Sequence, residues 1–121
     1  MSYDISFRAK VEGVDVYVPV ESDEPIMNIT WNCRDIITKS TGLEWKNEEN
    51  NGLCIDVIPY IEKGLKELED NPFQYKQYES PNGWGTVNGT KEFFRKILKS
   101  WEWTCFIYPE ELTNVLTFWI I

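Results

Sequence analysis

The sequence predicts an α+β domain, with about three helices packed on one face of a mainly antiparallel sheet. Three observations carry this reading. Residues 3–20 alternate apolar and polar side chains, the middle of the chain repeats apolar residues at spacings of three and four, and the final residues are apolar, β-branched and aromatic. Strands therefore come first and last, with helices between them.

Tyr3, Ile5, Phe7, Ala9 and Val11 share one face of a first strand, with Asp4, Ser6, Arg8 and Lys10 on the other. Glu12-Gly13 marks a turn, and Val14, Val16, Val18 and Val20 alternate again, so residues 3–20 read as a hairpin. Pro19 confines the end of that second strand to a sheet edge or a strand terminus. Residues 21–25 form an acidic loop, and residues 27–31 a short strand. Asn32 then suits an N-cap, with Asp35 as its capping-box partner, for a helix over 33–41 that Gly42 stops.

Residues 43–52 are polar and acidic and predict an exposed loop. Asp56 is placed to cap a second, amphipathic helix that runs to about residue 70, with Pro59 in its first turn. Asn71-Pro72 closes it, and residues 73–78 read as an aromatic linker. Thr86 or Thr90 caps the third and longest helix, whose apolar face holds Val87, Thr90, Phe94, Ile97, Leu98, Trp101 and Cys105. Pro109 ends it. Residues 115–121 are the buried last strand, expected to pair with the first hairpin.

A chain of 121 residues predicts one domain. With 42 % hydrophobic residues and six tryptophans it has ample apolar surface for a core. No apolar run approaches the ~20 residues of a membrane span, and the N-terminus has no signal-peptide pattern. The protein is therefore read as soluble and intracellular, with no membrane contact. Six tryptophans also leave room for an apolar interface between copies.

The net charge of −8 is unevenly placed: residues 1–40 carry −3, residues 41–72 carry −5, and residues 73–121 balance at zero. Direct nucleic-acid binding is not expected, because phosphate contacts demand clustered Lys and Arg. An acidic segment either keeps a protein soluble or docks on a basic partner surface. Cys33, Cys54 and Cys105 are widely separated and form no metal or redox motif. The absence of histidine removes Ser-His and Cys-His nucleophile arrangements and the commonest neutral metal ligand. No catalytic residue, cofactor or metal is predicted.

Three stretches are candidate sites. Glu44, Glu48 and Glu49, with Trp45 among them, lie in the predicted 43–52 loop as a solvated acidic stretch or a partner surface. Asn28, Thr30 and Asn32 form a polar row leading into a helix N-terminus, where a small anionic ligand is stabilised by the helix dipole. The plainer reading is that Asn32 caps and the other two face water. The third stretch is Y-E-S-P-N-G-W-G-T, residues 78–86. Pro81, Asn82 and Gly83 are turn residues, and Gly85-Thr86 precedes a helix whose N–H groups offer an anion site. No turn requires Trp84. It either folds back as a plug on the core or stands out as an anchor for a partner.

M-S-Y-D-I-S-F at the start, N-I-T-W-N near residue 30 and Y-E-S-P-N-G-W-G-T before the last helix resemble motifs of small uncharacterised proteins of bacteriophages and prophages. The valine-rich second strand and the last twelve residues have no counterpart in that resemblance. It implies a mobile-element context in the cytoplasm of a bacterial host cell, and no catalytic residues. The expected function is a non-enzymatic accessory protein that binds and inhibits a host factor, such as a component of antiviral defence, through a basic surface on that factor. The alternatives are a module that sequesters a nucleotide-like or anionic ligand, and a phage structural or assembly protein.

Overall fold

The computed structural model describes residues 2–14, 16–20, 27–46 and 49–120. Strand β1 (Ser2–Lys10) organises the sheet. Its two halves pair with β3 (Asn28–Thr30) and β2 (Tyr17–Pro19), both antiparallel. Ile5 N–H donates to Met27 O, and Val20 N–H donates to Phe7 O. Residues two apart in a strand point their backbone groups to the same edge, so β2 and β3 lie end to end along one edge of β1. The other edge takes the last strand, β5 (Thr117–Ile120), and β4 (Glu49–Leu53) pairs with the far side of β5. The sheet order is β2-β1-β5-β4, antiparallel throughout.

The register Ile5↔Ile120 and Phe7↔Phe118 puts the alternating apolar residues of both strands on one face. Tyr3, Ile5, Phe7, Phe118 and Ile120 are all buried there beneath the helices. The opposite face carries Ser6, Arg8, Thr117 and Trp119. The Arg8 guanidinium lies 4.7 Å from the Trp119 ring centroid, and Tyr17 packs against the same indole at 5.4 Å.

The described residues form five α-helices: α1 (Arg34–Thr41), α2 (Cys54–Asp70), α3 (Pro72–Lys76), α4 (Val87–Ile107) and α5 (Glu110–Thr113). Helices α1, α2 and α4 meet at Gly64. A Cβ there would stand 2.6 Å from Thr41 Cγ2 and 3.0 Å from Phe94 Cε2, so only glycine permits the approach. Helix α1 ends as its sequence predicts, with Gly42 left-handed at φ 79° and its N–H on Thr38 O.

The predicted architecture holds, and the last strand does pair with the first hairpin. Several local expectations do not. Residues 49–53 form an edge strand where an exposed loop was expected, because pairing with apolar β5 overrides the poor strand propensity of Asn50 and Asn51. The two asparagines also complete the edge: Asn50 Oδ1 accepts from Gly52 N–H at 2.9 Å, and Asn51 bonds Lys46 in both directions. The aromatic linker is instead helix α3, fixed by the Tyr75 hydroxyl donating to Glu67 Oε2 at 2.9 Å. Helix α5 was not foreseen.

Helix α2 starts at Cys54, so Asp56 sits in its first turn rather than capping it, and Pro59 is interior. The second strand spans three residues, and Val14, Val16 and Val18 are exposed. Cys105 is exposed too, while Phe93, Ser100 and Thr104 complete the buried face of α4. The acidic loop expected at residues 21–25 lies outside the described residues.

Phe118 is fully buried at the centre of this arrangement, between Phe7 and Trp45. Phe118→Ala is expected to destabilise the protein by about 3–5 kcal/mol, read as a lower denaturant midpoint at unchanged slope.

Candidate functional site

The loop before α4 is built by two turns and a network of polar side chains. Gly83, left-handed at φ 75°, closes a turn in which its N–H donates to Ser80 O at 3.0 Å. Ser80 N–H donates to Gly85 O at 3.1 Å, drawing the two ends of the loop together. Asn82 Oδ1 then accepts from the Ser80 hydroxyl at 2.7 Å and from Trp84 N–H at 2.9 Å. Asn82 thus braces the loop from inside, as an Asx turn does.

Asn32 ties this loop to the start of α1. Its Oδ1 accepts from the Ser80 hydroxyl at 3.3 Å and from Asn82 Nδ2 at 3.5 Å. Its own N–H and Nδ2 donate to Thr30 Oγ1 at 3.3 and 2.9 Å. Thr30, not Asn32, is therefore the cap, because the chain enters α1 through a 3-10 turn at Trp31–Cys33 and the first free N–H falls on residue 32. Gly85 is buried against the Asn32 backbone so closely that a Cβ would collide with the Asn32 carbonyl. The Cys33 thiol reaches Thr86 O at 3.9 Å in the same contact.

The N-terminus of α4 is satisfied within the chain. Thr86 Oγ1 accepts from Gly89 N–H at 2.9 Å, confirming Thr86 over Thr90 as the cap. Glu79 Oε2 accepts from Val87 N–H at 2.8 Å. The anion that the helix dipole favours is thus supplied by the protein's own carboxylate. An external anion at Gly85-Thr86 would have to displace it.

The sequence-predicted residues separate into three groups. Asn32, Asn82, Gly83, Gly85 and Thr86 are brought together around the loop, with Thr30 one step behind. Asn28 instead donates to Asp4 Oδ1 at 2.6 Å across the β1–β3 ladder. Trp45 is a core residue, 7 % exposed, in ring contact with Tyr3, Phe93 and Phe118 at 5.7–5.9 Å. Its expected place on a partner surface is corrected by that packing: the apolar ring gains more from the aromatic cluster than from an exposed loop. Glu44 pairs loosely with Arg34 at 3.4 Å, Glu49 lies exposed on edge strand β4, and Glu48 lies outside the described residues.

Trp84 is 75 % exposed. The core-plug reading is corrected: the indole faces solvent. Beside the loop lies a cleft of about 480 Å³ walled by Trp31, Arg34, Asp35, Tyr78 and Glu79, among others. Trp31 is the contributor that sequence reasoning missed. Its Nε1 is buried with no acceptor among the described residues. The signal was available in N-I-T-W-N, since a tryptophan entering a helix beside a loop seldom lies wholly inside a small core.

Burial pushes the Cys33 and Cys54 thiols above their ordinary range, so both are protonated at neutral pH and are poor nucleophiles. No three acidic or cysteine side chains converge on a metal-binding geometry among the described residues, and no described helix is long and apolar enough to cross a membrane.

Gly85→Ala is expected to push the loop off Asn32, lowering stability by about 1–3 kcal/mol and changing Trp84 fluorescence. Thermal melts and emission spectra of the two proteins test this. The chain matches no family model, no curated protein and no solved structure.

Proposed function

We propose that this protein is a non-enzymatic phage or prophage accessory protein that binds a host protein and inhibits it, with Trp84 as its anchor. The single observation that carries this is an indole 75 % exposed on a loop that the protein braces internally. Exposing a tryptophan forgoes apolar burial, whereas the same side chain at the centre of an interface commonly dominates its energy. A loop already held in shape loses little further entropy on binding. The phage resemblance supports a bacterial target, with antiviral-defence components as the class to test first. Residues 41–72, at −5, favour a partner with a basic surface.

Immobilised protein exposed to host lysate should retain one partner in stoichiometric amount. Trp84→Ala should weaken that complex by about thirtyfold or more. Its own unfolding free energy should stay within the ~0.5 kcal/mol expected of a surface change. Recovery of no stoichiometric partner, or a complex indifferent to Trp84, would count against the reading.

The cleft supports a second reading. Its volume of about 480 Å³ falls in the range of small-molecule sites, about 300–1,000 Å³, and Arg34 on its wall offers a cation to an anionic ligand. A ligand bound there at 100 times its Kd would stabilise the fold by about 2.7 kcal/mol. A thermal-shift panel of nucleotides and small anions with no response would leave protein binding as the function of this face.

A further inference from the structure

The three cysteines are free thiols, far apart in the sequence. The fold sets two of them face to face. Helices α2 and α4 pack antiparallel, and two places along their seam fix the register. A Cβ on Gly64 would stand 3.0 Å from Phe94 Cε2. Nearer the start of α2, a hollow is walled by Ile58 and Glu62 from α2 and by Leu98, Trp101 and Glu102 from α4. Each step toward the start of α2 is thus matched by a step toward the end of α4. Cys54 lies one turn before Ile58, in the row 54, 58, 62. Cys105 lies one turn after Trp101, in the row 98, 101, 105. The next pair along the seam is therefore Cys54 and Cys105.

We propose that Cys54 and Cys105 are an oxidisable pair, which a small-molecule disulfide converts into an intramolecular disulfide joining the start of α2 to the end of α4. Packed helices lie about 8–10 Å apart axis to axis. Small residues that face each other across that gap bring their Cβ atoms within a few ångström, and a disulfide needs about 3.5–4.5 Å. A second observation agrees with the register. Burial pushes the Cys54 thiol up, and the charge of Cys105 pushes it further, so each sulfur lies within the other's field. The two thiols also differ in access. Cys105 is exposed and opens onto a groove it lines with Lys99, Glu102, Trp103 and Phe106, whereas Cys54 is fully buried. A reagent from solution therefore meets Cys105 first.

The exchange runs in two displacements. The Cys105 thiolate attacks one sulfur of the reagent. The reagent's S–S bond breaks, a mixed disulfide forms on Cys105, and the departing thiolate takes up the proton that Cys105 lost. The Cys54 thiolate then attacks Cys105 Sγ, closing the protein disulfide and expelling the second thiolate, which takes up the Cys54 proton. Two protein thiols and one disulfide become one protein disulfide and two thiols. Forming the mixed disulfide also removes the Cys105 charge that helps to hold Cys54 protonated. The closed ring spans residues 54–105 and restrains the unfolded chain. Cys33 takes no part. It sits against Thr86 O at the opposite end of α4, roughly 28 Å from Cys105 at about 1.5 Å per residue. The pair is independent of whatever Trp84 binds.

The test incubates the native protein in glutathione buffers of graded oxidised-to-reduced ratio, traps the free thiols and reads the masses of the intact chain and its peptides. The expected product is a monomer that has lost two hydrogens, with residues 54 and 105 in one cross-linked peptide and Cys33 free. Excess reduced glutathione should reverse it. The oxidised protein should melt about 8 °C or more above the reduced one. Cys54→Ala should stop at glutathione held on Cys105, and Cys105→Ser, an exposed change, should leave Cys54 unreacted. Cys33→Ser should form the link as the parent does. Failure to form the link in any buffer, a link that joins two chains or includes Cys33, or one that forms only in denaturant would overturn the proposal. So would an unchanged or lowered melting temperature, which would mean that the link forms only by distorting the helix seam.

Discussion

The pairing of β5 with β1 is the contact on which the rest of the structure depends. Strand β5 is central, with β1 on one side and β4 on the other. Without it the hairpin and β4 would be separate fragments. Its Phe118 and Ile120 also form the floor on which Trp45, Phe93 and the helices stack. The Thr117 hydroxyl donates to Arg8 O, and Cys54 N–H donates to Leu116 O. The last strand therefore fixes both the register of the first strand and the starting point of α2.

Much of this was legible in the residues, and the parts that were not share a cause. Period-two alternation in β1, the three-and-four spacing in α2 and α4, Gly42 as a helix stop and Thr86 as a cap are local signals, and each holds. The errors fall where a distant partner decides. The asparagines of residues 49–53 read as loop because nothing nearby shows that β5 will pair with them. Trp45 read as exposed because its neighbours are charged, whereas its surroundings are Tyr3, Phe93 and Phe118, none within forty positions of it on both sides. Asn32 was recognised as a residue at a helix start, but its role as a clamp depends on Ser80 and Asn82, forty-eight and fifty positions away.

The candidate site shows the same division. The composition of the 78–86 loop identified it as a turn and picked out Trp84 as surplus to the turn's needs. Whether that indole faced inward or outward depends on Gly85 seating against Asn32, a contact no local pattern encodes. Once Gly85 is seated, Asn82 holds Trp84 N–H and Glu79 holds Val87 N–H. The loop and the longest helix thereby become one body. The polar groups that looked available for an external ligand are mostly engaged with each other, and the Trp84 ring is left exposed.

That continuity ties the loop to the core. A 21-residue helix has a length of about 32 Å, and the Trp84 loop is fastened to one end of it while Phe94 and Ile97 bury its middle. A torque applied at the indole would therefore be resisted by the packing of the whole helix and not by the short loop alone.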